Sequence, residues 1–194
     1  MTGSINSLLD FVSFTHDIRK IKRAMWVLDK EQFENDSEHG FQLALVALYI
    51  IEENKLNLDP YKSMAMALVH DIIEVHSGDT SVFGNKTDLD SKNAREQEAI
   101  ATLKKQWPRL NLMHKLIDEY EHKLSAESRF VYALDKLVPM LNNYLDNGRN
   151  WKRDGINLDQ VITVKTNKID IDDNINDYYK ELLVLIKNKP ELFA

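Results

Sequence analysis

His70 and Asp71 stand side by side at the end of the run Met66-Ala67-Leu68-Val69-His70-Asp71, read as the late part of an apolar helix. Adjacent helix positions point about 100° apart, so the two side chains cannot both lie flat on one core face. They can both reach a metal ion at the helix flank. Glu74 follows His70 by four residues, on the same helical face and one turn along. A metal ligand beside a carboxylate is the pairing that a metal-activated water requires. Taken alone, the dipeptide reads more simply as a surface pair near a helix end.

Two further positions bear on that reading. His39 falls in the first turn of another apolar helix, after Glu34-Asn35-Asp36-Ser37-Glu38. Asp135 sits within the apolar run from Phe130 to Leu141, where a charge is costly unless compensated. Pro139 lacks an N–H and leaves the Asp135 carbonyl without its usual helical partner, so the helix can bend there or water can meet the carbonyl. The chain has no cysteine, which excludes disulfides, thiolate nucleophiles and Cys-type zinc sites. A transition-metal site must come from the six histidines and the carboxylates.

The elements that position these residues read almost throughout with helical period. Leu8, Phe11, Val12, Thr15, Ile18 and Ile21 trace a first helix, and the polar patch from Asp29 to Asp36 breaks the pattern. Asp36 or Ser37 caps a helix to about Asn54, and Asp59-Pro60 starts the next one. That helix carries Met64, Ala67, Leu68, Ile72 and Val75 and ends before Ser77-Gly78. The segment from Ser77 to Asp90 reads as a loop. Asp90 or Ser91 then caps a helix with Ile100, Leu103 and Trp107 on one face, stopped by Pro108. Leu112, Met113, Leu116, Ile117 and Tyr120 form another stripe, and Ser125 caps a helix to about Leu145. Two weaker helices follow Asn147-Gly148, the last with Ile175, Tyr179, Leu182 and Ile186 in register. Period-two alternation is nowhere sustained. The fold class expected is all-α: one domain over 1–194, its core about 23–145, with the C-terminal helices 146–194 packing on it.

The 194 residues carry 25 basic and 31 acidic side chains, a net charge of −6, with 43% hydrophobic and 29% charged residues. This is ordinary globular composition and excludes a largely disordered chain. The acidic balance argues against gripping a nucleic-acid polymer, which needs a basic stripe. A single phosphate monoester needs only one or two placed cations, so small nucleotides stay open. The apolar stretch from Leu43 to Ile51 is too short to span a bilayer, and Met1 to Leu9 does not read as a secretory signal. The expectation is a soluble cytoplasmic protein with no membrane partner.

The order His39, His70-Asp71, Asp135 on three separate helices resembles the HD-domain metal-dependent phosphohydrolases. Glu34-Asn-x-Ser-Glu-His39, Ala67-Leu-Val-His-Asp71 with Glu74, Ser77-Gly-Asp79, Glu119-Tyr-Glu121, Ser125-Ala-Glu127 and Leu134-Asp-Lys136 are similar to the 5′-deoxynucleotidase branch of that family. The resemblance covers roughly Arg23 to Leu145. It implies an HD-domain helical bundle whose metal ligands are His39, His70, Asp71 and Asp135. One divalent transition metal ion per chain (Mn, Co, Fe, Ni or Zn) suits two imidazoles and two carboxylates. Carried over by position, Glu74 and Asp79 are the catalytic carboxylates, and Arg23, Trp26 and Asp79 contact the substrate. The implied substrate is a small-molecule nucleotide, a (deoxy)nucleoside 5′-monophosphate hydrolysed to nucleoside and phosphate, and the implied assembly is a homodimer. Without the resemblance, Trp26 reads as a core aromatic and Arg23 as one more cation of the cluster Arg19-Lys20-Lys22-Arg23.

Three alternatives stay open on the residues. An HD hydrolase of nucleoside triphosphates or alarmone-type pyrophosphates should need more cations than Arg23 and Lys136 supply. A binuclear iron oxygenase needs two metals; His76, His114 and His122 lie in the right interval, but none has a second-metal context. His114 and His122 read as surface residues, and His76 as able to line the pocket. A non-catalytic nucleotide-binding HD protein would lose the water-activating carboxylates, and Glu74 and Asp79 are both present.

Overall fold

The computed structural model describes residues 3–80, 83 and 86–193. Helix α1 spans Ile5–Ile18 behind an N-cap at Ser4, and it stops short of Ile21. Strand β1 (Lys22–Trp26) then pairs antiparallel with β2 (Phe33–Asn35), Lys22 opposite Asn35 and Trp26 opposite Phe33, with an irregularity between. The all-α class stands, and this small hairpin is an addition that the helical spacing does not show. Its strands are too short to show alternation, and pairing overrides local propensity. The fold is still dominated by helices. The hairpin's contribution is positional: it brings Arg23 and Met25 to the central cavity.

Helix α2 (Asp36–Glu53) is capped by Asn35, whose side chain accepts from the Ser37 and Glu38 N–H groups while Glu38 reaches back to the Asn35 N–H. The cap is one residue earlier than expected, which frees Asp36 to turn inward, where it is buried. Helix α3 (Pro60–Val69) starts at the Asp59 cap, as its sequence requires. It does not run on through Ile72 and Val75. The Ile72, Glu74, Val75 and His76 N–H groups bond three residues back, a tightening that ends α3 and leads into the short α4 (Glu74–Ser77).

Ser81, Val82, Gly84 and Asn85 of the expected loop lie outside the described residues. Helix α5 (Lys86–Gln106) begins ahead of the expected cap at Asp90 or Ser91. Helices α6 (Asn111–His122) and α7 (Ala126–Leu145) follow, the second behind a Ser125–Ser128 capping box. The C-terminal part holds α8 (Arg149–Arg153), α9 (Leu158–Ile169) and α10 (Asp173–Lys187), where sequence reading expected two helices.

Helix α7 runs through the middle of the core. Its Phe130, Val131, Leu134 and Leu137 meet Leu43 and Ala47 of α2, Met66 and Ala67 of α3, and Val161, Ile169, Ile175 and Tyr179 of α9 and α10. Leu134 is 0% exposed, and cutting such a side chain back to Ala costs about 2–5 kcal/mol. A second cluster joins Phe14 of α1 to Ile72, Ile73, Ile100 and Leu103. Leu68 and Leu112, placed on apolar stripes by their spacing, are exposed instead. Where α2 crosses α3, a Cβ on Gly40 would stand 3.3 Å from the Ala67 carbonyl oxygen. The lack of a side chain there lets the helices approach and sets His39 beside His70, ring centroids 5.5 Å apart.

Candidate active site

Three helices and one turn bring the expected ligands together. His39 enters from the first turn of α2, His70 closes α3, Asp71 follows it, and Asp135 sits in the middle of α7. His39 Nε2 lies 2.9 Å from Asp135 Oδ1 and 3.9 Å from Asp71 Oδ2. His70 Nε2 lies 3.0 Å from Asp71 Oδ2 and 3.6 Å from Asp135 Oδ1. Bonds of about 2.0–2.2 Å to a shared ion place its ligand atoms roughly 3–4.4 Å apart, so the four atoms have the dimensions of one coordination sphere.

Three of the four ligands are aimed by a partner, while the His39 Nδ1 is buried without a hydrogen bond. His70 Nδ1 lies 2.9 Å from the Ala67 carbonyl, which can only accept, so Nδ1 carries a hydrogen and Nε2 is the ring nitrogen turned on the cluster. That Nε2 is buried and makes no hydrogen bond; Asp71 is near but wrongly oriented for one. A bare imidazole nitrogen facing two carboxylates is what a metal ligand looks like. Asp135 accepts from the Tyr120 hydroxyl at 3.0 Å and from the Lys136 ammonium, which answers the cost of placing it in an apolar helix. Arg23 Nη1 donates to Asp71 at 2.8 Å and stands 3.6 Å from Asp36, while its Nε is 3.4 Å from Glu34.

The acidic groups outnumber these cations. Burial and the neighbouring Asp71, Asp36 and Asp79 push the Glu74 carboxyl up to about 10. Burial and Asp71 push Asp36 up to about 7, and burial raises Asp79 despite Arg23. Burial disfavours charge on His70, yet Asp71 and Asp135 outweigh it and raise its pKa to about 10, so without an ion Nε2 holds a proton that a cation bound there would displace. Burial and Arg23 pull His39 down to about 4. Asp135 is buried too, but Lys136 and the two imidazoles hold it well below the usual carboxylate range. This under-compensated negative charge, next to the bare Nε2, fits a divalent cation held by His39, His70, Asp71 and Asp135.

Glu74 reaches the site by a different route from the one its spacing suggested. The helix is interrupted between His70 and Glu74, and Glu74 opens α4 with its carboxylate on the cavity. One carboxylate oxygen each of Asp36, Asp71 and Glu74 forms a second convergent set. Asp36 is the acid that sequence reading missed as a site residue. Asp36 and Ser37 both read as possible caps of α2, and only the geometry shows that Asn35 holds that place.

The cavity in front of the ligands holds about 330 Å³, within the range of small-molecule sites. Arg23, His70, Asp71, Glu74, Asp79 and Asp135 line one side. Lys123, Lys165 and Lys168 also line the cavity, with Lys136 at the Asp135 side, and Phe83, Tyr132 and Trp151 contribute apolar and aromatic surface. Lys165 was also missed, although a signal existed: it occupies a core position of the stripe Val161-Lys165-Ile169. Trp26 is not brought to the cavity. Its ring lies under Arg153 at 4.6 Å and Arg149 at 5.3 Å, beside Phe33, and its backbone N–H donates to Asn150. His76 does not line the cavity either; it is exposed and pairs with Gln106. His122 is exposed, and His114 is half-buried against the Trp107 carbonyl.

Comparison with known proteins agrees with this geometry. The HD-domain family matches residues 15–174. The 5′-deoxynucleotidase HDDC2 of Xenopus laevis is 33% identical over 139 residues, covering 70% of this chain and 67% of that protein. The HDDC2 protein of Homo sapiens is 32% identical over 138 residues, covering 70% and 66%. The chain thus spans about two thirds of the length of these relatives. The crystal structure of a predicted metal-dependent phosphohydrolase from Magnetospirillum magnetotacticum MS-1 superposes with a TM-score of 0.83 at 26% identity, over 98% of this chain and 96% of that one. A conserved hypothetical protein from Pyrococcus furiosus shares the fold, with a TM-score of 0.64 and 18% identity, over 91% and 99%. With the profile match spanning most of its length and a His/Asp cluster built for a divalent ion, the chain belongs to the HD-domain family and is a metal-dependent phosphohydrolase related to the HDDC2 5′-deoxynucleotidases.

Proposed function

We propose that the protein hydrolyses nucleoside 5′-monophosphates, favouring the 2′-deoxy sugar, to nucleoside and inorganic phosphate. The observation that carries this is the placement of Glu74 and Asp79 on the same cavity as His70, Asp71 and Asp135, with Arg23 also lining it. The deoxy preference rests on the relatives named 5′-deoxynucleotidase. A divalent ion in this ligand set supplies a Lewis acid and lowers the pKa of a water. In the reaction, water attacks phosphorus, the bond from phosphorus to the 5′-oxygen breaks, and the nucleoside leaves as an alcohol. Glu74, on the cavity beside the ligand cluster, takes the proton from the attacking water in the metal-loaded site, where the ion's charge favours its ionised form. Asp79 returns a proton to the departing 5′-oxygen. Arg23 offsets charge on the phosphoryl oxygens and fixes the orientation of Asp71.

A phosphate-release screen of ribo- and deoxyribonucleotides with several divalent metals tests the reading. Hydrolysis of 2′-deoxy monophosphates, with ribo forms about tenfold to a hundredfold poorer, is the expected result. Failure to release phosphate from any monophosphate would overturn it. The resemblance also supports a homodimer in the cytoplasm; light scattering that returned a monomer mass would remove the dimer and leave the chemistry standing. Among the described residues, no helix is long and apolar enough to cross a membrane.

A further inference from the structure

Lys165 occupies a place where the core asks for an apolar residue. It lies on α9 between Val161 and Ile169, one helical turn from each, and these three are 6%, 1% and 0% exposed in that order. Its side chain lines the cavity, and no hydrogen bond or ion pair to it is found among the described residues. An ammonium held in an apolar stripe and met by no protein group is unfavourable unless something in the cavity meets it, and Met or Leu would fill the stripe without that penalty. Burial and the charge of Lys136 accordingly pull the pKa of Lys165 down to about 7. Lys168, three residues on, lines the same cavity and is also lowered, by burial and then by Lys136 and Lys92. Lys136 is engaged by Asp135, and Lys123 donates to the Glu121 carbonyl. Arg23 and Lys136 already stand at the metal-ligand cluster, enough for the one phosphoryl group that reacts there. The charge of Lys165 and Lys168 is surplus to that group and faces the same 330 Å³ space.

We infer that Lys165 and Lys168 form a second anion subsite, which holds another phosphoryl group of the substrate while the first is hydrolysed at the acidic end. The favoured nucleotide then carries two phosphoryl groups, either on separate oxygens of the sugar or joined as a diphosphate. This rests on the phosphohydrolase reading of the acidic end, and it answers what α9 does in the protein: it supplies specificity.

The test compares phosphate release by the metal-loaded protein from 2′-deoxyadenosine 5′-monophosphate, the 3′,5′-bisphosphate and the 5′-diphosphate. One of the doubly phosphorylated substrates should show a kcat/KM about tenfold or more above the monophosphate, as a charge-assisted contact implies. Which of the two does so identifies the source of the second group. Lys165→Met should collapse that ratio towards one, and Lys168→Gln should reduce it. In parallel, inorganic pyrophosphate at fixed free metal should raise the melting temperature of the wild type more than that of Lys165→Met. Equal or better use of the monophosphate by the wild type, or an unchanged ratio in Lys165→Met, overturns the inference and spares the phosphohydrolase reading. If no nucleotide is hydrolysed, that reading fails by itself, and the pyrophosphate arm still decides the subsite: an equal shift in both proteins rejects it.

Discussion

At the acidic end of the cavity, the ligand side chains are held by partners within the protein. Ala67 orients His70, Arg23 holds Asp71, and Tyr120 and Lys136 hold Asp135. Among the described residues, Lys165 has no such partner, and the apolar stripe around it keeps it in place. The first arrangement is preorganised: its geometry is fixed by the fold, and binding an ion costs little rearrangement. The second is a charge left unmet by the fold, to be met by what binds. The same cavity therefore combines a rigid reacting end with an end that reads the substrate. A change at one end should behave unlike a change at the other.

The largest effect is expected at the ligands. Asp71→Ala removes a carboxylate from the cluster, so metal content should fall from about one equivalent towards zero and turnover should drop by about 10³-fold. Metal analysis alongside kinetics checks it, and a variant that keeps both would break the preorganised reading. Glu74→Gln should lose about 10²–10⁴-fold in turnover while retaining the metal, because its work is proton transfer. Near-wild-type turnover at saturating metal would pass that role to Asp79.

At Lys165 the sign reverses. Lys165→Met should stabilise the fold by about 1–2 kcal/mol, a rise of roughly 2–5 °C in melting temperature, as it removes an unpaired buried charge. The folded chain holds the Lys165 proton only up to about pH 7, against an ordinary lysine value of 10.5. Between those values the unfolded chain binds more protons, so stability rises with pH. The advantage of Lys165→Met should thus be widest below pH 7 and fade towards pH 10, with Arg23, Asp135, Lys136 and Lys168 as the charges that surround the group. A melting temperature that falls in the variant would mean that Lys165 is paired in the fold after all. The smallest effect belongs to Trp26, which stands outside the cavity. Trp26→Phe should keep kcat/KM within about twofold, and a loss beyond tenfold would return it to the substrate site.

How much of this is legible in the sequence differs between the two ends in the same way. His39, His70, Asp71 and Asp135 are legible as a set because their order on separate helices resembles the HD-domain pattern, while Asp135 alone, a charge within an apolar run, demands an explanation by itself. The Asp59-Pro60 and Ser125 caps are legible because capping is local chemistry. The hairpin of Lys22–Trp26 with Phe33–Asn35 is not, since its strands form through pairing across a turn and carry no periodic pattern. The break after Val69 is hidden because the apolar spacing continues through Ile72 and Val75 while the hydrogen bonds tighten beneath it. Asp36 became a site residue only through tertiary placement, by losing the cap role to Asn35, whereas Lys165 left a signal in the stripe Val161-Lys165-Ile169, a charge at a core position of a helix of weak amphipathic pattern.

The claim on which the rest depends is that His39, His70, Asp71 and Asp135 hold an ion that the phosphohydrolase reaction requires. The most direct measurement strips the purified protein of metal, assays phosphate release from 2′-deoxynucleoside 5′-monophosphates, and repeats the assay after adding back single divalent metals. The expected result is no turnover and a lower melting temperature in the stripped protein, both restored as the metal content approaches one equivalent per chain. Full turnover by the metal-free protein would contradict it.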